Sequence, residues 1–268
     1  MPELPEVETI VRELKPLITD KTIESVSIHW PRTVDGDPEQ FTETLTGKRL
    51  THISRKGKYI CFLFENSLYL TIHLRMTGKL LFQPDQKDQN YIRVSFHFTD
   101  RSSLFFVDVR KFGRMKLWEQ SEPLLPHLGP EPLDEKTILQ VLSGHTSRRP
   151  IKTLLLDQSV LAGVGNIYAD EALFMAKIHP LTPANKIKKH RLRKLSKYLP
   201  EILETAIKNN GTTISDYRKT DRSEGSNQLV LKVYGREGEP CRICGAPITR
   251  IRINNRSAHF CPTCCKSR

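Results

Sequence analysis

CRICGAPITRIRINNRSAHFCPTC, residues 241–264, sets four cysteines in two C-x2-C pairs with 16 residues between them. Each pair can place two thiolates on one metal, and the gap has the length of a β-hairpin. Four sulfurs, from Cys241, Cys244, Cys261 and Cys264, close a tetrahedral site for one structural zinc ion. A closed site leaves no open coordination position, so the metal holds the chain end and does no chemistry. Between the pairs, Ile251 and Ile253 alternate with Arg250 and Arg252. Asn254-Asn255 tolerates positive φ and turns the hairpin, which puts Arg256 at its tip. An arginine held there either clamps a phosphate bidentately or is a plain surface residue. Cys265 is left over and reads as a spare surface thiol rather than a competing ligand.

Upstream of this ribbon, residues 211–227 (GTTISDYRKTDRSEGSN) have no periodicity and read as a mobile loop. Helical patterns precede it at 136–142, 151–159, 166–176 and 187–209. In the last, Ile187, Leu192, Leu195, Leu199, Ile202, Leu203 and Ile207 form the buried stripe. Its first half carries Lys186, Lys188, Lys189, Arg191, Arg193, Lys194 and Lys197, read as a solvated face ahead of a phosphate-facing one. EPLLPHLGPEPLDE (122–135) is a proline-rich linker. From about 22 to 118, short β-rich runs such as KYICFLFE, LYLTIHL, IRVSFHF and SLFFVDV have the spacing of a sandwich or barrel. Cys61, in one of them, reads as a small core residue. Residues 5–18 form an amphipathic helix with Val7, Ile10, Val11, Leu14 and either Leu17 or Ile18 on one face. The result is an α+β chain in two domains: 1–121, a linker at 122–135, then a helical region at 136–227 that ends in the zinc finger at 228–268.

The chain has 268 residues, enough for two cores, and a formal net charge of +12. That charge favours encounter with polyanions, so nucleic acid is the leading partner class, beside an ordinary basic surface. No apolar run approaches the ~20 residues of a membrane span, and no secretory signal pattern is present. The sequence reads as a soluble intracellular protein without a membrane partner. In a reducing compartment, clustered cysteines favour metal over disulfides.

The first six residues are MPELPE. Met before Pro is removed after synthesis, leaving Pro2 as a secondary amine. Such an amine attacks electrophilic carbon and forms an iminium, with Glu3 beside it to move protons. Taken alone, the six residues read as a helix start ahead of a nucleophile, with Pro5 in the first turn and Glu6 and Glu8 at the positive end of the dipole.

PELPEVET (2–9), SRKGKY (54–59), HLRMTG (73–78), DVRKFG (108–113), GVGNIYADE (163–171) and the four-cysteine ribbon together resemble the formamidopyrimidine-DNA glycosylase family, the bacterial enzymes that excise oxidised purines. The resemblance runs through the whole chain in order. It implies an N-terminal β-sandwich opened by a catalytic helix, then a helix–two-turn–helix domain with a zinc finger, and damaged double-stranded DNA bound between them by a monomer. It implies Pro2 as nucleophile at C1′, Glu3 as acid/base and Glu6 as its neighbour. Lys58 would assist elimination and hold a phosphate, where residue type alone equally allows an exposed strand-end lysine. Met76, Arg110 and Phe112 would fill the gap left by the flipped nucleotide, core packing being the other reading of Met76 and Phe112. His73, Asn166 and Arg256 resemble the phosphate clamps, Asn166 also being readable as a helix N-cap, and Lys152 would reach a phosphate too. The loop at 216–226 resembles the part that folds over the lesion.

The sequence departs from the family pattern in four places. Tyr91 or Arg93 stands where many members carry an H-x-H contact to DNA. Thr77 follows Met76 where glutamate is frequent, the chain ends CPTCC instead of CPxCQ, and the hairpin turns on Asn-Asn. The implied reaction is bifunctional: release of 8-oxoguanine and formamidopyrimidines, then β,δ-elimination. The rivals are the endonuclease VIII branch, which prefers oxidised pyrimidines, a non-catalytic zinc-ribbon DNA binder, and an RNA-binding protein. PELPE with the Met76, Arg110 and Phe112 set argues against the first, the intact Pro2-Glu3 pair against the second, and the lack of an aromatic single-strand platform against the third.

Overall fold

Pro5 in the first turn and an apolar stripe at helical spacing begin the chain as α1 (Leu4–Ile18), which buries Val7, Ile10, Val11, Leu14 and Ile18. Ile18 completes the stripe, and Leu17 faces solvent. The computed structural model describes residues 1–118, 124–214 and 217–266. The expected boundary at 121, the first two residues of the 122–135 linker and part of the 211–227 loop lie outside the described residues.

After α1 come β1 (Ile23–Ile28), α2 (Pro38–Leu45), β2 (Leu50–Lys56), β3 (Tyr59–Phe64), β4 (Tyr69–His73), β5 (Lys79–Leu81), β6 (Ile92–Phe98), β7 (Ser103–Val107) and β8 (Arg114–Trp118). They pair into two antiparallel four-stranded sheets, ordered β1-β6-β7-β5 and β2-β3-β4-β8. Inward side chains of both sheets share one core: Val26, Val94, Phe96 and Phe106 from the first meet Ile60, Phe62, Leu70 and Ile72 from the second. This is a sandwich, and the apolar face of α1 joins the same core. Cys61 is buried in β3 as expected. The β2–β3 turn has two residues, Gly57-Lys58, closed by the Lys56–Tyr59 pair. Gly57 supplies the positive φ, 59°, that its first position requires.

The chain divides into two units: residues 1–126 with 209–226, and 127–208 with 227–268. The loop that the sequence groups with the helices thus belongs to the sandwich unit, and the zinc ribbon belongs to the helical unit. The second unit contains α3 (Glu135–Ser143), α4 (Ile151–Leu155), α5 (Asn166–Met175), α6 (Lys189–Lys208), β9 (Thr249–Ile253) and β10 (Arg256–Phe260). The pattern at 151–159 overruns α4, because Asp157 turns the chain by accepting from the Ser159 amide and hydroxyl. α5 is buried on all sides and packs against α4, α6 and β10. Its central position explains its lack of an amphipathic stripe. Two consecutive acids on α5 tie the rest of the unit to it. Glu171 accepts from the amides of Lys232, Val233 and Tyr234, each at 2.9 Å. Burial pushes its carboxyl above the ordinary range against the pull of those amides. Asp170 accepts from the Lys152 ammonium at 2.6 Å and the His259 amide at 2.8 Å. Among the described residues no helix is long and apolar enough to cross a membrane.

Candidate active site, nucleic-acid interface and metal centre

Glu3 is the N-cap of α1, and it forms a reciprocal capping box with Glu6. The Glu3 amide donates to Glu6 Oε2 at 2.8 Å, while the Glu3 carboxylate accepts from the Glu6 amide. Pro2, Glu3 and Glu6 are all buried, whereas Met1 is exposed. Glu6 does more than favour the helix dipole. Its Oε1 accepts from the Thr212 amide at 2.8 Å, so one carboxylate joins the helix start to the 209–226 loop. Gly211 makes this approach possible: its φ is +80°, and a Cβ there would lie 3.0 Å from Glu6 Cγ.

That loop is anchored to its own unit rather than loose. Glu13 accepts from the Thr220 amide and hydroxyl, each at 2.9 Å, and pairs with Lys219 at 3.0 Å. Arg222 bridges Asp85 at 2.7 Å and Asp88 at 2.6 Å. Tyr217 is buried in the sandwich core, and its hydroxyl donates to the Asn210 carbonyl.

Lys58 is 5 % exposed, which excludes an ordinary strand-end lysine in solvent. Arg55 of the same hairpin donates to Glu8 Oε2 at 3.0 Å and to the Gly57 carbonyl at 3.1 Å. The turn carrying Lys58 is thereby tied to the helix that Pro2 precedes. Burial raises the Glu8 carboxyl, but Arg12 and Arg55 outweigh it and hold the group below its ordinary value. His73 ends β4 with Nδ1 accepting from the Arg75 amide at 2.9 Å and its ring edge-on to Tyr59. In the neutral ring this places the proton on Nε2, a donor suited to an anion.

Met76 and Phe112 are 38 % and 46 % exposed, on the β4–β5 and β7–β8 connections. Neither belongs to the core. The Arg110 guanidinium lies 4.9 Å from the centre of the Phe112 ring. Tyr91 is also on the surface, but Arg93 is not: its Nε donates to the Asp108 carbonyl at 2.7 Å, and the side chain is buried. Arg93 is therefore corrected from a candidate DNA contact to an internal brace for the loop that follows.

In the second unit Asn166 is the first residue of α5, and Gly165 is its cap. The Asn166 amide reaches across to Ser257 Oγ at 3.3 Å, and its buried Oδ1 meets no hydrogen-bond partner among the described residues. Exchanging the oxygen and nitrogen of this amide lets Ser257 donate to Oδ1 and places the NH2 group, a donor, at the position that has no partner. Arg256 is exposed beside the Asn254-Asn255 turn, whose φ angles of 45° and 63° are those of a type I′ hairpin. Asn254 anchors this end by donating to Thr153 Oγ1 at 3.1 Å. Lys152 is corrected: it is 1 % exposed, with its ammonium on Asp170 and the Ser257 carbonyl, and it reaches no phosphate.

The Sγ atoms of Cys241, Cys244, Cys261 and Cys264 lie within 4.8 Å of one another. Cys244–Cys261, Cys244–Cys264 and Cys241–Cys264 are separated by 3.4, 3.6 and 4.0 Å. A tetrahedron with metal–sulfur bonds of ~2.3 Å has edges of ~3.8 Å, so the four thiolates fit one zinc ion. The Ala246 amide, followed by Cys261, lowers the Cys244 thiol to about 7, whereas burial raises the thiols of Cys261 and Cys264. Cys265 is corrected as well. It is fully buried against Phe174, Val233, Ile248 and Phe260, and burial pushes its thiol up to about 12.

Three family descriptions match in succession. Residues 1–115 match the formamidopyrimidine-DNA glycosylase N-terminal domain, 128–218 its H2TH domain, and 238–266 the zinc finger found in FPG and IleRS. The chain belongs to the formamidopyrimidine-DNA glycosylase family. The protein of that name from Ligilactobacillus salivarius is 43 % identical over 98 % of both chains. Lactococcus lactis Fpg in complex with an abasic-site-containing DNA has a TM-score of 0.89 at 39 % identity, and a variant with a Fapy-dG-containing DNA has 0.90. Each covers 99 % of this chain and 100 % of its own. Membership makes the chain a DNA glycosylase of DNA repair with one structural zinc.

Two residues that carry structural weight near the candidate site were not marked by the sequence, Asp108 and Asp170. Each is an acid inside a motif, DVRKFG and GVGNIYADE. Neither role has a local signal, because the contacts that tie each acid to another element, Thr77 and Arg93 for Asp108 and His259 for Asp170, lie 15 to 89 positions away.

Proposed function

We propose that this glycosylase is bifunctional: it releases 8-oxoguanine and formamidopyrimidines from duplex DNA, with cytosine opposite, and then cleaves the strand. The observation that carries the reading is the start of α1. Met1 is exposed and removable, while Pro2 behind it is buried beside two locked carboxylates. After loss of Met1, the Pro2 nitrogen attacks C1′ and its lone pair forms the new bond. The sugar ring opens with Glu3 supplying the proton, and the base departs with the electrons of its glycosidic bond. The Pro2 nitrogen gives up its proton to the departing base and shares the freed pair with C1′ as the ring opens, and the resulting iminium draws electrons from the sugar so that a C2′ proton is lost to base. β-Elimination expels the 3′ phosphate, δ-elimination the 5′ phosphate, and water frees Pro2. Lys58 supports elimination, and Glu6 holds the helix start in place.

Extrusion of the lesion costs a few kcal/mol. Exposed Met76 and Phe112 can replace the lost stacking, and Arg110 can hydrogen-bond the unpaired cytosine. His73, Asn166 and Arg256 serve as phosphate donors, with Tyr91 a further surface contact. Free thiolates reserved for zinc favour a reducing, intracellular setting, and the protein acts as a monomer.

Borohydride trapping on a duplex with one 8-oxoguanine opposite cytosine, followed by peptide mapping, tests the reading. The expected result is a covalent adduct on Pro2. An adduct elsewhere, or none from zinc-loaded protein lacking Met1, refutes it. A preference for thymine glycol would move the chain to oxidised pyrimidines.

A further inference from the structure

We propose that Thr77 is a positioning residue that sets the register between the two gap-filling loops and thereby controls opposite-base discrimination. This rests on the function proposed above. Asp108 is fully buried at the start of the β7–β8 connection, and its carboxylate gathers donors from both loops. The Thr77 hydroxyl donates to Oδ1 at 2.5 Å, and the Gly113 amide donates to Oδ2 at 2.8 Å. The Arg110 amide is shared between Thr77 Oγ1 at 3.1 Å and Asp108 Oδ1 at 3.2 Å.

These contacts bracket all three fillers. Met76 immediately precedes Thr77. Arg110 and Phe112 lie on the stretch whose ends, the amides of 110 and 113, are fixed by Asp108. Among the described residues Thr77 supplies the one hydrogen bond from the Met76 loop to that carboxylate, so its hydroxyl carries the registration between the loops. Each loop is also held within itself. A Cβ on Gly113 would fall 2.3 Å from the Phe106 ring, and one on Gly78 would fall 2.5 Å from the Leu74 carbonyl. Both positions therefore require glycine for the backbone to approach this closely. A glutamate at position 77 would bring a second carboxylate to Asp108 in a buried place, which is unfavourable. The threonine is thus a choice with its own consequence: it couples the loops through a neutral donor that is also an acceptor.

The test compares Thr77→Val, Thr77→Ser and wild type on three substrates: 8-oxoguanine opposite cytosine, 8-oxoguanine opposite adenine, and a preformed abasic site. Valine keeps the shape and removes the hydroxyl. The expected result for Thr77→Val is a roughly tenfold fall in kcat for 8-oxoguanine opposite cytosine, the scale of one charge-assisted hydrogen bond. The preference for cytosine over adenine should shrink, and cleavage of the abasic site should stay within about twofold of wild type. Thr77→Ser, which retains the hydroxyl, should restore both rate and preference. The proposal is overturned if Thr77→Val keeps the wild-type preference. It is also overturned if all three substrates decline together with the melting temperature, or if serine fails to rescue. Inactivity of wild-type enzyme on 8-oxoguanine would instead count against the functional reading, and it is read from the same plates before any variant.

Discussion

Lys152 holds an ammonium in the interior against Asp170 and the Ser257 carbonyl. Removing one partner of a buried pair strands the other, so Lys152→Ala should cost about 3–5 kcal/mol in urea melts. DNA affinity of the folded fraction should be unchanged. Normal stability with lost affinity would return the residue to the interface. Arg256 is the converse, an exposed cation on a rigid turn. Arg256→Ala should weaken binding to lesion and undamaged DNA alike and reduce the slope of log K against log salt by about 1; an unchanged slope would remove it from the phosphate contacts. The contrast explains what was legible at this scale. Residue type and motif marked both lysine and arginine. Whether a long cation points inward is settled by partners far away in sequence, and for Lys152 one of them is 105 positions on. Arg93 and Cys265 were misread for the same reason: nothing local says that Asp108 or Phe174 will cover them.

α1 and the β2–β3 hairpin are joined by an ion pair whose acid has a lowered pKa. Glu8 starts from an ordinary value of 4.5, and Arg12 and Arg55 bring it down against its burial. The folded state therefore binds the proton less tightly than the unfolded chain. The stability this supplies is complete above about pH 4.5 and is lost as pH falls through the lowered folded-state value. Glu8→Gln should lower the melting temperature near neutrality and flatten that acid limb; an identical limb in the variant would assign it to other carboxylates. The 209–226 loop is secured in the same way, by Glu13 and by Arg222 between Asp85 and Asp88. Arg222→Ala should speed proteolytic cleavage in this loop several-fold while leaving the sandwich resistant, since local opening governs such cuts. Cleavage at the wild-type rate would show the bridge to be idle. Helix α1 and the ribbon hairpin were readable because apolar period and turn chemistry are local signals. The loop was not: its sequence has no period, and its order comes from acids up to 207 positions away.

At the scale of the whole chain, zinc and helices share a unit. Cys261→Ser should lose the metal and DNA binding together, and the unfolding transition that moves should be that of the helical unit, followed by α-helical circular dichroism. Zinc loss confined to the hairpin, with the helical melt untouched, would uncouple them. The +12 charge was a fair guide to a polyanionic partner, although it could not say which cations face outward. Asp170 draws the ribbon backbone onto α5, Glu171 holds the 232–234 segment that leads into it, Lys152 adds the Ser257 carbonyl, and Asn254 reaches Thr153 on α4. A cysteine ribbon of this kind is often imagined as a cassette, free to be exchanged between proteins. Here its seating is written into α4 and α5. A recombination point placed just before Cys241 would part the His259 amide from Asp170, Asn254 from Thr153, and the Lys152 ammonium from the Ser257 carbonyl, the second of its two acceptors. Productive crossovers should fall upstream of α4, so that helices and ribbon are inherited together.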